Sequence, residues 1–156
     1  MTATTRRPAN GCTAQHGRGG AEASHWYEWG GRNEDGSPGF AQRRPGWPLP
    51  LHDLLRRGGV RAVFHGHDHF YARQERDGVV YQLVPQPGHP GRRTENVAAE
   101  YGYRGGEILG GAGHLRVTVG PDQATVAFVR AVLPNAERDG WRNGAVAAEY
   151  RLAPAP

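Results

Sequence analysis

One stretch constrains this chain more than any other: in Val60 to Phe70, a short apolar run, Val60 to Phe64, breaks into histidines at three alternate positions, His65, His67 and His69. β-Branched and aromatic residues ahead of a polar, glycine-containing break predict a buried strand running into a loop. Alternate residues of an extended chain face one side, so His67 and His69 are placed to present their imidazoles in one direction. Neutral imidazole is the commonest biological metal ligand, and Gly66 leaves out a side chain where backbone would pass close to a site. A solvated polar loop is the plainer alternative for any H-x-H.

The flanking text supplies the elements that would carry such a loop. Pro48 to Arg57 predicts a short helix: prolines at its start, an apolar stripe of Leu51, Leu54 and Leu55, and Arg56-Arg57 before Gly58-Gly59 at its end. His52 is expected on the exposed side of that helix. Val79 to Val84 predicts a strand entered through the Asp77-Gly78 turn, making Phe70 to Val84 a hairpin. Leu115 to Val119, the turn at Gly120-Pro121-Asp122, and Ala124 to Val132 predict a second hairpin with one buried face, and Ala148 to Leu152 a last strand. Trp26, Tyr27, Trp29 and Trp47 are too many large rings to leave in water and are expected to pin the long segment from Gly17 to Trp47 onto the body of the domain, with a stacking wall as the functional alternative.

Composition agrees with strands and loops rather than a helical bundle, because 24 glycines and 12 prolines sit among 156 residues of which only 37% are hydrophobic. The length suits one domain with a modest core. Residues 1–16 are small, polar and aperiodic and are expected to be disordered, leaving 17–153 as the folded part. All 19 basic residues are arginine, the formal charge is +4 and the pI about 9.7, a surface that favours anionic ligands such as phosphate esters. Cys12 is the only cysteine, which excludes an internal disulfide. The N-terminus lacks the apolar core of a signal peptide and no run is long enough to span a membrane, so a cytoplasmic setting is the default expectation.

Phe64-His65-Gly66-His67-Asp68-His69 resembles the last metal motif, G-H-x-H, of the calcineurin-like metallophosphoesterases. The flanks resemble a bacterial branch of that family: Gly17 to Gly20, Tyr27 to Gly31 with Asn33 and Asp35-Gly36, Arg44 to Trp47, Asp77 to Gln82, and Pro85-Gln86-Pro87. The likeness runs from about Gly17 to about Val129. It implies an α+β fold, mostly strands with one short helix, corresponding to the C-terminal half of the family's two-sheet sandwich. It also implies metal-dependent hydrolysis of phosphate mono- or diesters over two divalent ions, manganese, iron or zinc, with His67 serving one metal and His69 the other. His65 lies outside the motif, and Asp68, pointing the opposite way, is expected to act as a turn residue or a partner behind the ligands.

A two-metal site clamps the attacking and leaving oxygens between ions about 4 Å apart and needs a bridging carboxylate with several further ligands. The family's D-x-H, G-D-x-x-D and G-N-H motifs, which supply them, do not occur in this sequence. The family also uses a lone histidine ahead of G-H-x-H; His16 stands in that region with unmatched flanks and is assigned no role, nor are His89 and His114. The chain is therefore expected to be the C-terminal part of such a hydrolase and unable to complete the site alone. Two alternatives stand beside it: a non-enzymatic remnant or half-domain that docks onto an N-terminal half, and a basic arginine- and glycine-rich nucleic-acid binder whose affinity falls steeply with salt. A structural zinc site built from Cys12 and histidines lacks a second cysteine and finger-like spacing.

Overall fold

A computed structural model describes residues 29–33, 35–88 and 98–154. It is an α+β arrangement, mostly strands in two sheets with a few short helices. The segment expected to be disordered, 1–16, lies outside the described residues, as do Trp26, Tyr27, His16 and His89.

After a four-residue helix, α1 (Phe40–Arg43), the predicted helix forms as α2 (Leu51–Arg57) behind Pro50. Asp53 in its first turn and Arg56 and Arg57 in its last oppose the helix dipole. It ends as glycine-terminated helices do: Gly59 takes φ +72, its N–H reaches the Arg56 carbonyl at 3.2 Å, and Val60 N–H reaches the Leu55 carbonyl at 2.9 Å. That reversal feeds β1 (Ala62–His65).

β2 (Tyr71–Arg76) and β3 (Val79–Leu83) form the predicted hairpin across Asp77-Gly78, both residues at positive φ, which matches the twist of the strands. β4 (Glu107–Leu109) adds to β2, and β1 lies parallel to β3, giving a sheet in the order β1-β3-β2-β4. The second sheet is antiparallel, β5 (Gly113–Val119), β6 (Ala124–Arg130) and β7 (Val146–Leu152) in sequence order, with a 3-10 turn at Pro134–Ala136 in the β6–β7 connection.

Alternation along the strands sorts the core into two layers. Between the sheets Tyr71 stacks on Phe128 at 5.0 Å, and Val80, Val126 and Tyr150 pack beside them. On the other face of the first sheet, Phe70, Ala72 and Leu83 are covered by Ala98 and Tyr103, the Phe70 and Tyr103 rings meeting edge to face at 5.1 Å. Each such apolar side chain removed from water stabilises the fold by roughly 1.5–3 kcal/mol.

Four expectations change. β1 is not buried: among the described strands it is the sheet's edge, and Phe64 is 45% exposed. His52 is 2% exposed, not solvent-facing, while Leu54 of the expected apolar stripe is exposed. Trp29 packs edge-on against Tyr81 as expected, but Trp47 is half exposed at 50%. Finally, β5 is buried only at its start; Val117 and Val119 are exposed.

Candidate metal-ligand loop

β1 and β3 end side by side, His65 opposite Leu83, with Val84 N–H donating to the His65 carbonyl at 2.7 Å. From there residues 66–70 turn the chain into β2. The loop is not the extended segment expected of alternating ligands, for His67 has φ 100 and His69 φ 64. Left-handed backbone at a residue with a Cβ is uncommon, and φ 100 lies beyond the usual left-handed well; such positions cost on the order of 1–3 kcal/mol. Gly66 has ordinary φ, and a Cβ there would meet nothing, so glycine is not demanded at that position. The constraint falls on His67 instead.

Exposure still alternates, by other means. Asp68 is 6% exposed and its Oδ2 accepts the Tyr103 hydroxyl at 2.9 Å; Phe70 is buried against the same tyrosine. His67 and His69 are both exposed. The loop is thus held from below at residues 68 and 70 and carries its two imidazoles above. Tyr103 was not legible as part of this device: it lies 35 residues on, in a glycine-rich stretch without periodicity.

His65 behaves differently from its two neighbours. Both ring nitrogens are buried and neither reaches a hydrogen-bond partner at good geometry. Burial holds its pKa down to about 4, against a smaller opposing pull from the Gly66 backbone, so the ring is neutral near pH 7.

At the opposite end of β3 stands His52. Its Nε2 lies 2.9 Å from Asp77 Oδ2 and its Nδ1 2.7 Å from the Tyr81 hydroxyl. A carboxylate only accepts, so Nε2 donates to Asp77, and the second bond joins Nδ1 to the Tyr81 hydroxyl. The bond to His52 is the main reason the Asp77 carboxyl titrates below its usual range, with Arg76 helping. Both ring nitrogens are committed, and this histidine fastens α2 to the sheet. His114 is an exposed residue of β5.

Imidazoles at 67 and 69 are suitable donors for manganese, iron or zinc. Two neutral ligands cannot balance two dications, however, and among the described residues no three His, Cys, Asp or Glu are gathered to hold a metal ion. The donors fit one corner of a two-metal site and not the whole of it. A cavity of ≈470 Å³ between Gly31, α1 and Pro50 has no histidine or acidic residue in its walls. No helix among the described residues is long and apolar enough to cross a membrane. No protein-family model matches this sequence, and no curated protein matches it.

Proposed function

We propose that this chain supplies two imidazole ligands, His67 and His69, to the metal centre of a calcineurin-like phosphoesterase that hydrolyses phosphate mono- or diesters, and that the carboxylate ligands come from another polypeptide segment. The observation that carries the proposal is the loop itself: two exposed histidines in left-handed backbone around an aspartate that is buried and bonded to Tyr103. Both imidazoles stand exposed on positive-φ backbone, and strained backbone collects where chemistry is done. Bound in a complete site, the metal pair would supply Lewis-acid stabilisation of the phosphoryl oxygens. This chain's part is to hold and aim two ligands.

The partner-dependent form is favoured by a specific feature of β1. Val80 N–H bonds the Arg61 carbonyl and Val84 N–H the His65 carbonyl, so odd-numbered residues of β1 turn their main-chain groups to β3. Ala62 and Phe64 turn theirs to the other side, where no described strand pairs, beside the exposed Phe64 ring. An unprotected apolar edge is a template for another strand. A strand added there in parallel would end beside the histidine loop.

Calorimetric titration of the chain with Mn2+ and Zn2+ tests the proposal. One weak site that disappears in His67→Ala and in His69→Ala is expected, with turnover of a model phosphodiester arising only on addition of a segment bearing the D-x-H, G-D-x-x-D and G-N-H motifs. Metal binding indifferent to both substitutions would sink the proposal.

A further inference from the structure

The β6–β7 connection, residues 131–145, carries chemistry that the histidine loop does not use. Trp141 is contacted by two guanidiniums, Arg130 centred 4.0 Å and Arg138 4.4 Å from the ring centroid. Arg130 is only 8% exposed; its Nη1 donates to the Gly110 carbonyl at 2.9 Å, and its Nε is buried without a hydrogen bond. The stack closes tightly on Gly111, at φ +98, where a Cβ would lie 2.5 Å from the indole and 2.9 Å from Arg130 Nη1.

The charge is uncompensated. Among the described residues no carboxylate pairs with either guanidinium: Glu137 Oε1 is taken by the Asn143 N–H at 3.0 Å, and Asp139 makes no ion pair with them. Burial first, then the charge of Arg138, pulls the pKa of Arg130 below its ordinary value. Cation–π contacts offset part of this cost, but two like charges around one ring still repel. An oxyanion at the ring edge would relieve both, and the indole N–H, which bonds no described residue, is a third donor there.

The stack also sits at a telling place. Leu109 is the strand partner of Tyr71, two residues after His69, and Gly110, which anchors Arg130, is the next residue. Gly113, the partner of Arg130, donates to the Gln86 carbonyl just past β3. The guanidinium pair therefore lies at the end of the sandwich that carries the histidine loop.

We propose that Arg130, Trp141 and Arg138 form an anion site that binds a phosphate group at the indole edge. Paired guanidiniums match a tetrahedral dianion in charge and in hydrogen-bond geometry. The site does not need the metal proposal; where both hold, it takes an anionic group of the ester.

The full chain, kept metal-free with a chelator, is titrated with inorganic phosphate while tryptophan emission is read, with Trp141→Phe as the control that removes the reporter. A saturable change is expected, absent in Trp141→Phe and weakened about tenfold in Arg138→Gln, whose side chain is exposed and whose loss leaves the melting temperature unchanged. Arg130→Lys, which keeps the buried charge but not the fork, should weaken binding as well. His67→Ala and His69→Ala should bind phosphate as the parent does, which separates failure here from failure of the metal site. Tighter binding of phenyl phosphate than of inorganic phosphate assigns the site to an ester, the reverse to free phosphate, and both orders support it. The proposal is overturned if sodium chloride at equal ionic strength reproduces the change, or if Arg138→Gln binds phosphate undiminished.

Discussion

β3 has a histidine region at each end, and the two obey opposite rules. At its amino end His52 is buried, bonded through both ring nitrogens, and carried on regular helix. Past its carboxyl end His67 and His69 are exposed and carried on left-handed backbone. Every feature of His52 is accounted for by fastening α2 to the sheet. In the loop, Asp68 and Phe70 are the residues that point inward. A histidine whose nitrogens are spent on the fold is a strut; one held out in strained backbone over an anchored neighbour is a candidate ligand. Residue type does not separate the two, but burial and backbone angle do.

That contrast can be broken at either end. The largest effect is expected for His52→Ala, which removes the bonds to Tyr81 and Asp77 and opens a hole under α2; about 4 kcal/mol of stability should be lost in urea denaturation. His67→Ala, by the same measurement, should change stability by less than about 0.5 kcal/mol and abolish metal binding. Equal losses at the two positions would erase the distinction.

Next in size is the acid side of the stability profile. The His65 pKa is about 4 in the fold against 6.5 for the free residue. The unfolded chain takes up the proton first, so His65 has no effect on stability above pH 6.5, erodes it as the pH falls, and levels off below pH 4. The shift corresponds to about 3 kcal/mol at most. His65→Leu should flatten this part of the profile; a slope unchanged in that variant would refute the assignment.

Smaller, and of opposite sign, is His67→Gly. Glycine occupies φ 100 without penalty, so the variant should be about 1 kcal/mol more stable than the parent while losing its metal. A destabilised His67→Gly would show that the imidazole is a strut after all. Smallest is Asp77→Asn. Asp77 is largely exposed, so the loss should stay below about 1 kcal/mol at neutral pH. Because its pKa is depressed in the fold, that contribution is present above the ordinary carboxylate range and vanishes as the pH falls through the folded value. Parent and variant should therefore converge in strong acid, read as melting temperature against pH.

Local chemistry made much of the fold legible. Asp77-Gly78 dictates a tight hairpin because both positions adopt positive φ, Gly59 ends α2 for the same reason, and Gly120-Pro121-Asp122 turns β5 into β6. These signals act within a few residues, where the chain's own sterics decide. The histidine motif was readable in the same way, as a pattern of residue types after an apolar run.

Its geometry was not. The extended loop imagined from alternation is instead left-handed, because the Tyr103 hydroxyl and ring draw Asp68 and Phe70 inward from 35 and 33 residues away. His52 was misplaced because the partners that bury it, Asp77 and Tyr81, lie 25 and 29 residues downstream. The pairing of Arg130 and Arg138 around Trp141 left no trace in the pattern, since one guanidinium comes from a strand and the other from a loop. Sequence alone determined where strands and turns form and which residues could bind a metal, because those depend on side-chain type and on backbone freedom over a few residues. Only the tertiary structure decided which histidines are buried in the fold and which stand at its surface, because burial and hydrogen bonding are properties of whatever the rest of the chain brings alongside.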